Sequence, residues 1–347
     1  MINMQTTKQS YPIAIIGGGP AGLEAASVLA ENGFSVSLFE AKNHWADNLV
    51  NKHQIFPDFS SAEDLFKQLQ LKIEHASINK ILNKEIVNLS KTNDCWILKD
   101  ETGNPYSASA VLLATGYDVF DAKRKEEFGF GIYKGVITSL QLEEMLQTQQ
   151  IKNIFGEAPQ RVVFLQCVGS RDEKTGNHYC SKICCVTAVK QAIEVKQLSP
   201  RSEVFVFYMD LRMWGQHFEE LYRDSQEQYN IRYVRGRISE ASATFDGRIQ
   251  IKAEDTLIGQ PLKMTTDLLV LMVGMEPSEG TRQLAGCCNI CGDYGFAQSK
   301  DAHLGDNLTD KKGLFLAGAC KRPMSITDTI TDARSAAFEI IQYLHNG

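Results

Sequence analysis

No stretch of this chain is both long and apolar enough to cross a bilayer. The most continuous apolar run towards its end, Leu268 to Val273, falls far short of the roughly 20 residues that a spanning helix needs. A basic excess is also missing. Lys and Arg number 36 against 42 Asp and Glu, a formal net charge of −6, so there is no cationic footprint for nucleic acid, and an anionic ligand must be held by local backbone donors. The opening residues, Met1 to Tyr11, are polar and lack the charged-then-apolar pattern of a secretory leader. They read as a short loose arm; the expected location is cytoplasmic, where disulfides have no oxidising compartment. Neither a repeat of solenoid period nor a low-complexity tract is present. What remains, in 347 residues of ordinary apolar content and mixed charge, is the profile of a soluble enzyme with two domains.

Cysteine, by contrast, is concentrated. Four of the nine fall in one stretch, QCVGSRDEKTGNHYCSKICC, ending at Cys185. Cys167 follows the apolar run Arg161-Val162-Val163-Phe164-Leu165, which reads as a buried strand, while Cys180, Cys184 and Cys185 stand just before and within a helical segment ending near Leu198. The four thiols can therefore converge at one strand-to-helix turn. The positive end of the helix stabilises thiolates there, which suits an anionic iron-sulfur cluster. Three other readings compete. Zinc sites usually show two separated Cys pairs, which the adjacent Cys184 and Cys185 fit poorly. A disulfide network needs an oxidising compartment. Free Cys is commonly buried as a small hydrophobe, but four in one turn beside Arg171, Asp172 and Lys174 argue against that. The cluster is the preferred reading.

A second motif lies near the start. Ile13-Ala14-Ile15-Ile16 reads as a buried parallel strand, followed by Gly17-Gly18-Gly19-Pro20-Ala21-Gly22 and a helix from Leu23 to Asn32. The GxGxxG at Gly17, Gly19 and Gly22 lets backbone amides and a helix N-terminus approach a pyrophosphate closely. The next strand, Ser35 to Phe39, ends in Glu40, where a carboxylate can accept the hydroxyls of an adenosine ribose. A tight turn without ligand is the competing account, and the full order of strand, glycines, helix, strand and acid weighs against it. The motif alone does not separate FAD from NAD.

Between these motifs the chain reads as an amphipathic stretch near Ala62 to Leu71, hairpin strands around Ile81 to Leu89 and Cys95 to Leu98 with Cys95 in the core, and a strand, Ala110 to Leu113, ending in Ala114-Thr115-Gly116. Tyr117 and Asp118 can border a cofactor at that turn. Asp121 to Gln150 reads as a charge-rich connection. From Arg161 a second α/β unit repeats the first: strand, turn, helix, then Val204 to Tyr208 ending at Asp210. A helix near Phe218 to Gln228 and strands around Ile231 to Val234, Arg248 to Ile251 and Leu268 to Val273 complete it. Arg212, Arg235 and Arg237 read as surface salt-bridge partners, and Cys287, Cys288 and Cys291 as packing or redox-sensitive thiols. Near the end, Ile326-Thr327-Asp328-Thr329 opens a helix whose start can face the pyrimidine carbonyl of a flavin and favour its reduced anion. Thr327 can also serve as its N-cap.

Ala110 to Gly116 and Gly313-Leu314-Phe315-Leu316-Ala317-Gly318 resemble the flavoprotein disulfide reductase superfamily. The resemblance implies an α/β chain of two Rossmann-like domains of the thioredoxin reductase type, with residues 1–120 and 280–347 forming a discontinuous FAD domain and residues 121–279 a second domain. FAD would lie against Gly17, Gly19, Pro20, Ala21, Gly22, Glu40, Thr115, Gly116, Gly318, Ile326 and Thr327. Pyridine-nucleotide reductases carry a GxGxxG-type turn in the second domain, where this chain has Cys167-Val168-Gly169-Ser170-Arg171-Asp172.

That stretch and Tyr179-Cys180-Ser181-Lys182-Ile183-Cys184-Cys185 resemble the A subunit of heterodisulfide reductase and its relatives, including the A subunit of quinone-interacting oxidoreductase complexes. Tyr208-Met209-Asp210-Leu211-Arg212 and Val234-Arg235-Gly236-Arg237 extend the likeness over nearly the whole chain. It implies one [4Fe-4S] cluster ligated by Cys167, Cys180, Cys184 and Cys185, electron transfer between it and FAD, a homodimer, and further subunits of a heterodisulfide-reductase-like complex docking near the cluster. Lacking CxxCxxC runs, the chain is similar to the short A subunits of the sulfur-oxidising heterodisulfide-reductase-like complex. It departs from the pattern in Ala41-Lys42-Asn43-His44-Trp45, where a Gly-Gly pair is usual, and in Ala319, where an Asp usually bonds the ribityl chain. The alternative is a free-standing NAD(P)H-dependent FAD oxidoreductase.

Overall fold

The short apolar runs fall side by side. In the computed structural model, which describes residues 11–346 except Asn51 and Asp94, Ile13–Ile16 pairs in parallel with Val36–Phe39 on one side and Ala110–Leu113 on the other. Ile78–Ile81 and Leu314–Leu316 extend this to a five-stranded parallel sheet. Every residue of Ile13–Ile16 and Ala110–Leu113 is buried, as befits strands covered on both faces. The polar arm lies outside the described residues except for Tyr11.

The chain forms two compact units, one of Met1–Asp47, Phe66–Asp118 and Pro277–Gly347, the other of Asn48–Leu65 and Val119–Glu276. In the first, the helices Pro20–Glu31 and Ile326–Asn346 pack together. The buried Glu24 ties them, accepting from Arg334 at 2.6 Å and from Lys72 at 2.6 Å. A three-stranded antiparallel sheet, Ile86–Lys91, Trp96–Asp100 and Pro105–Ala108, belongs to the same unit.

In the second unit the parallel sheet runs Val136–Thr138, Leu268–Val273, Arg161–Val168, Glu203–Tyr208, Arg232–Arg235. An antiparallel sheet of Ile238–Ala243, Ile249–Asp255 and Gln260–Thr266 accompanies it. Two features differ from the sequence reading. Asp121 to Gln150 is more than a connection, since it holds the edge strand Val136–Thr138 and the helix Ser139–Gln147. The missed signal was Thr138 and Gln141, which form a capping box ahead of buried Leu142 and Leu146. The segment Asn48–Leu65, read as part of the first domain, groups with the second unit. The reason is its anchoring: His53 N donates to Glu143 at 3.0 Å, Gln147 donates to the carbonyls of Val50 and Lys52, and Phe56 meets Phe218 edge to face.

Candidate functional site

Ile16 hands the chain to Gly17, whose φ is 112° and whose Cβ, were there one, would stand 2.3 Å from the Ala114 carbonyl oxygen. Only glycine fits there. A Cβ on Gly22 would stand 1.9 Å from the Gly17 oxygen, so the helix starts hard against the turn, with Pro20 pre-set in its first turn. Gly19 is different. It is the N-cap, with no side-chain cap bond and nothing within 4 Å of its Cβ position, so the first helical amides have no side-chain acceptor. A Cβ on Gly318 (φ 74°) would lie 3.0 Å from the Ala21 Cβ and 3.2 Å from Thr329, and Gly318 donates its N–H to Asp332 at 2.6 Å. Three segments far apart in sequence thus meet at the carboxyl end of the first sheet, the usual ligand face of an open α/β sheet.

Glu40 closes the second strand, and its carboxylate accepts from Gly18 N at 2.7 Å and from Lys42 N at 2.8 Å. Each oxygen keeps a further lone pair. Trp45, in the run that departs from the family pattern, packs over the turn: a Cβ on Gly18 would stand 2.4 Å from its ring. Gly116 has a φ of 70° and open space at its Cβ position, whereas the Thr115 hydroxyl is engaged with Thr281 at 2.6 Å. The final helix is capped by Ser325 instead of Thr327. Ser325 Oγ accepts from Asp328 N at 3.1 Å and Asp328 accepts from Ser325 N at 3.3 Å, leaving Ile326 and Thr327 in the first turn.

In the second unit, pairing between Arg161–Val168 and Leu268–Val273 shifts register between Leu165 and Val168, and at this bulge Cys167 takes a φ of 64°. Cys184 and Cys185 open the helix Cys184–Leu198, whose N-cap Ile183 offers no side-chain bond; Cys180 is half-buried and the other three are buried. The thiols of Cys167, Cys184 and Cys185 act on one another's ionisation. The bond to Cys184 holds the Cys167 thiol below its ordinary value against burial, with help from the Arg171 guanidinium. Cys184, between its two neighbours, is pushed well up. Cys185 falls to about 7 through its bond to Cys184, against burial, aided by the Arg212 amide at 3.4 Å.

Cys180 joins the group electrostatically, because Arg171, paired with Asp210 at 2.9 Å, faces both Cys167 and Cys180. The Lys182 amide donates to the Cys180 sulfur at 3.3 Å. Three non-glycine residues of this region, Cys167, Arg171 and Lys182, have positive φ, a strain of order 1 kcal/mol each that is typical of functional loops. Gln166 Nε2 and Ser170 Oγ, flanking Cys167, are buried without a partner. Among the described residues no three His, Cys, Asp or Glu side chains are grouped to hold a single metal ion; a cluster instead spreads its thiolates over several irons.

All nine cysteines are free thiols. Cys287 and Cys291 are exposed, and burial pushes the Cys288 thiol up to about 11. Cys95 is buried, as read. Arg212 pairs with Asp210 and Arg237 with Asp172, while Arg235 donates to the Met209 carbonyl. Sequence reasoning missed Trp45, Gln166, Ser170 and Asp332, each of which gains its place only from the fold.

The family described as pyridine nucleotide-disulphide oxidoreductase matches residues 11–164. The A subunit of the H(2)/formate:CoB-CoM heterodisulfide,ferredoxin reductase of Methanococcus maripaludis is 40% identical over 237 residues, covering 65% of this chain and 36% of that protein. The A subunit of the ferredoxin/F(420)H(2)-dependent CoB-CoM heterodisulfide reductase of Methanosarcina acetivorans is 28% identical, covering 100% of this chain and 55% of that protein. The chain thus spans between about a third and a half of the length of these curated relatives. Thioredoxin reductase from Lactococcus lactis superposes with a TM-score of 0.68 at 17% identity, covering 97% of this chain and 100% of that one; the T. acidophilum enzyme gives 0.67 at 18%. The chain thus has a thioredoxin reductase fold, matches the pyridine nucleotide-disulphide oxidoreductase family over residues 11–164, and is similar to heterodisulfide reductase A subunits.

Proposed function

We propose that this chain is an iron-sulfur flavoprotein that passes electrons between FAD and one [4Fe-4S] cluster, as part of a heterodisulfide-reductase-like complex in sulfur metabolism. The observation that carries the reading is the turn after Arg161–Val168. Where a nucleotide-binding turn would present glycines, this segment carries Cys167, Cys180, Cys184 and Cys185; the last two open a helix with no side-chain N-cap bond, and Arg171 interacts with the first two. Four thiols, a cation and open helical amides suit an anionic cluster. The unpartnered donors of Gln166 and Ser170 are available to its sulfurs, and such bonds tune a cluster's potential.

The first unit fits FAD, since the Cβ position of Gly19 at the helix start is open and a side chain there would fill the space before the first helical amides. Gly17, Gly19, Pro20, Ala21 and Gly22 bring the helix start to the pyrophosphate, and Glu40 offers its remaining lone pairs to the ribose. Thr115, Gly116, Gly318, Ile326 and Thr327 line the flavin end, where the amides of the last helix's first turn favour negative charge. Bound FAD would supply the exchange between one-electron and two-electron steps. The protein's share is to hold and orient the two groups and exclude side reactions.

On this reading the unit of Met1–Asp47, Phe66–Asp118 and Pro277–Gly347 is the FAD domain and that of Asn48–Leu65 and Val119–Glu276 the cluster domain. On the same reading the chain works as a homodimer with further subunits in the cytoplasm; the relatives named as heterodisulfide reductase A subunits support the further subunits. No helix of the described residues is long and apolar enough to cross a membrane. The test is anaerobic purification followed by assay of iron, acid-labile sulfide and flavin, with about four iron, four sulfide and one FAD expected per chain. Flavin without iron, together with rapid reduction by NADH in stopped flow, would instead support the NAD(P)H-dependent oxidoreductase.

A further inference from the structure

We propose that the first unit has a second anion site, for a small phosphate ester, at the end of the sheet opposite its glycine turn. A cavity of about 480 Å³ lies there, lined among others by Lys300, Leu308, Lys311, Lys312, Phe315 and Tyr343. It flanks Gly313, just before the strand Leu314–Leu316, whereas Gly318, in the glycine-turn group, lies just beyond that strand's other end. The two sites are therefore distinct.

The cavity lining carries three lysines, Lys300, Lys311 and Lys312, against two carboxylates, Asp310 and Glu339, and so is net positive in a protein of net negative charge. None of the ammonium groups of Lys300, Lys311 and Lys312 has an ion pair or hydrogen bond among the described residues. Lys312 lies 5.9 Å from the centre of the Tyr343 ring. A fourth amine, Lys91, donates to the Lys312 carbonyl and stands 5.5 Å from the Trp96 ring centre. Burial lowers its proton affinity, and the Lys312 charge lowers it further. With Lys91 just outside the lining, the lysines outnumber Asp310 and Glu339, and this local excess of positive charge favours an anion.

A second observation points the same way. Trp96 is 3% exposed, and its Nε1–H has no acceptor. An indole nitrogen can only donate, and leaving it unpaired when buried is costly. It stands 3.1 Å from the Cβ position of Gly313, and Tyr343 Oη stands 2.9 Å from the same point. Both polar groups thus press against Gly313, which with Tyr343 lines the cavity, while the Trp96 indole lies directly behind that wall. Complementing the helix C-terminus would account for cations at the end of Ile326–Asn346, but not for an unmatched indole donor.

The loop is held ready. Thr309 Oγ1 donates to the Leu314 carbonyl at 2.9 Å and accepts from Lys311 N at 3.1 Å, while Lys300 N donates to the Leu308 carbonyl at 2.8 Å. Lysine is a ready phosphate partner, the volume lies in the range of small-molecule sites, and Leu308, Phe315 and Tyr343 offer apolar surface to the organic part.

The test is titration calorimetry of the full chain with pyrophosphate and with ribose 5-phosphate at low ionic strength. Saturable binding of either, one per chain and weakened by salt, supports the site. Lys311→Ala/Lys312→Ala should weaken it at least tenfold and Trp96→Phe several-fold, with bound flavin unchanged. Either phosphate should also protect Lys311 and Lys312 of the unaltered protein from acetylation, read by mass spectrometry, which covers the case of a variant that folds poorly. No saturable binding, equal acetylation with and without phosphate, or binding of a poly-glutamate peptide but of neither phosphate would overturn the proposal.

Discussion

Lys190 Nζ lies 2.7 Å and 2.9 Å from the two carboxylate oxygens of Glu143, and both side chains are almost wholly buried. Gln191 also donates to Glu143, at 2.7 Å, and Lys190 stands 3.1 Å from Glu194. Removing one partner of such a pair strands a charge away from water, whereas removing both replaces it with apolar packing. Lys190→Met should cost about 3 to 5 kcal/mol in urea unfolding. Lys190→Met/Glu143→Leu should recover part of that loss. A double variant no more stable than the single one would show that the pair does not act as a unit.

The same group of side chains sets a pH dependence. Burial raises the Glu194 carboxyl above its ordinary value; Lys190 opposes this and the Glu143 charge adds to it. The native protein therefore holds this proton more tightly than the unfolded chain does. Its contribution is fully present below the ordinary carboxylate range and is lost as pH rises through the raised value. The stability of the unaltered protein minus that of Glu194→Gln should fall between pH 4 and neutrality, as measured by urea midpoints at fixed salt. A flat difference would show that Glu194 is already ionised throughout.

How much of this was legible in the sequence follows the range of each interaction. The strand Ile13–Ile16, the glycine turn and the helix Cys184–Leu198 were legible because apolar runs and glycines act over a few residues. The helix Ser139–Gln147 escaped because its charged and polar neighbours hid a two-residue apolar stripe, although its capping box was written in Thr138 and Gln141. The placing of Asn48–Leu65 could not be read at all, since His53 finds Glu143 and Glu194 across 90 and 141 residues. The unpartnered Gln166 and Ser170 were equally hidden, because burial without a partner is a property of the fold.

The glycine turn separates fold from ligand. A side chain on Gly22 collides with the Gly17 carbonyl, whereas one on Gly19 meets nothing within 4 Å. Gly22→Ala should therefore lower both the melting temperature and the flavin content. Gly19→Val should keep the melting temperature of the flavin-free protein and still empty the site, by blocking the approach of a pyrophosphate to the helix start. Full flavin content in Gly19→Val, judged by the flavin to protein absorbance ratio, would show that the cofactor lies elsewhere.

The cysteines can be separated in the same way. Cys167 is buried at a strand bulge, its ionisation tied to that of Cys184, while Cys287 is exposed in the other unit, with long contacts to Asn88 and Val87. If the proposed cluster sits in the second unit, Cys167→Ala should lose or convert it and keep FAD, because the glycine turn belongs to the first. Cys287→Ala and Cys291→Ala should keep both. The measurement is iron, acid-labile sulfide and flavin in each variant, with electron paramagnetic resonance of the dithionite-reduced protein. A change of spectrum in Cys167→Ala with iron partly retained would still mark this residue as a ligand, since a cluster that loses one thiolate can convert without being lost. Iron lost from Cys287→Ala but intact in Cys167→Ala would move the cluster to the other cysteine group and remove the argument from the strained loop.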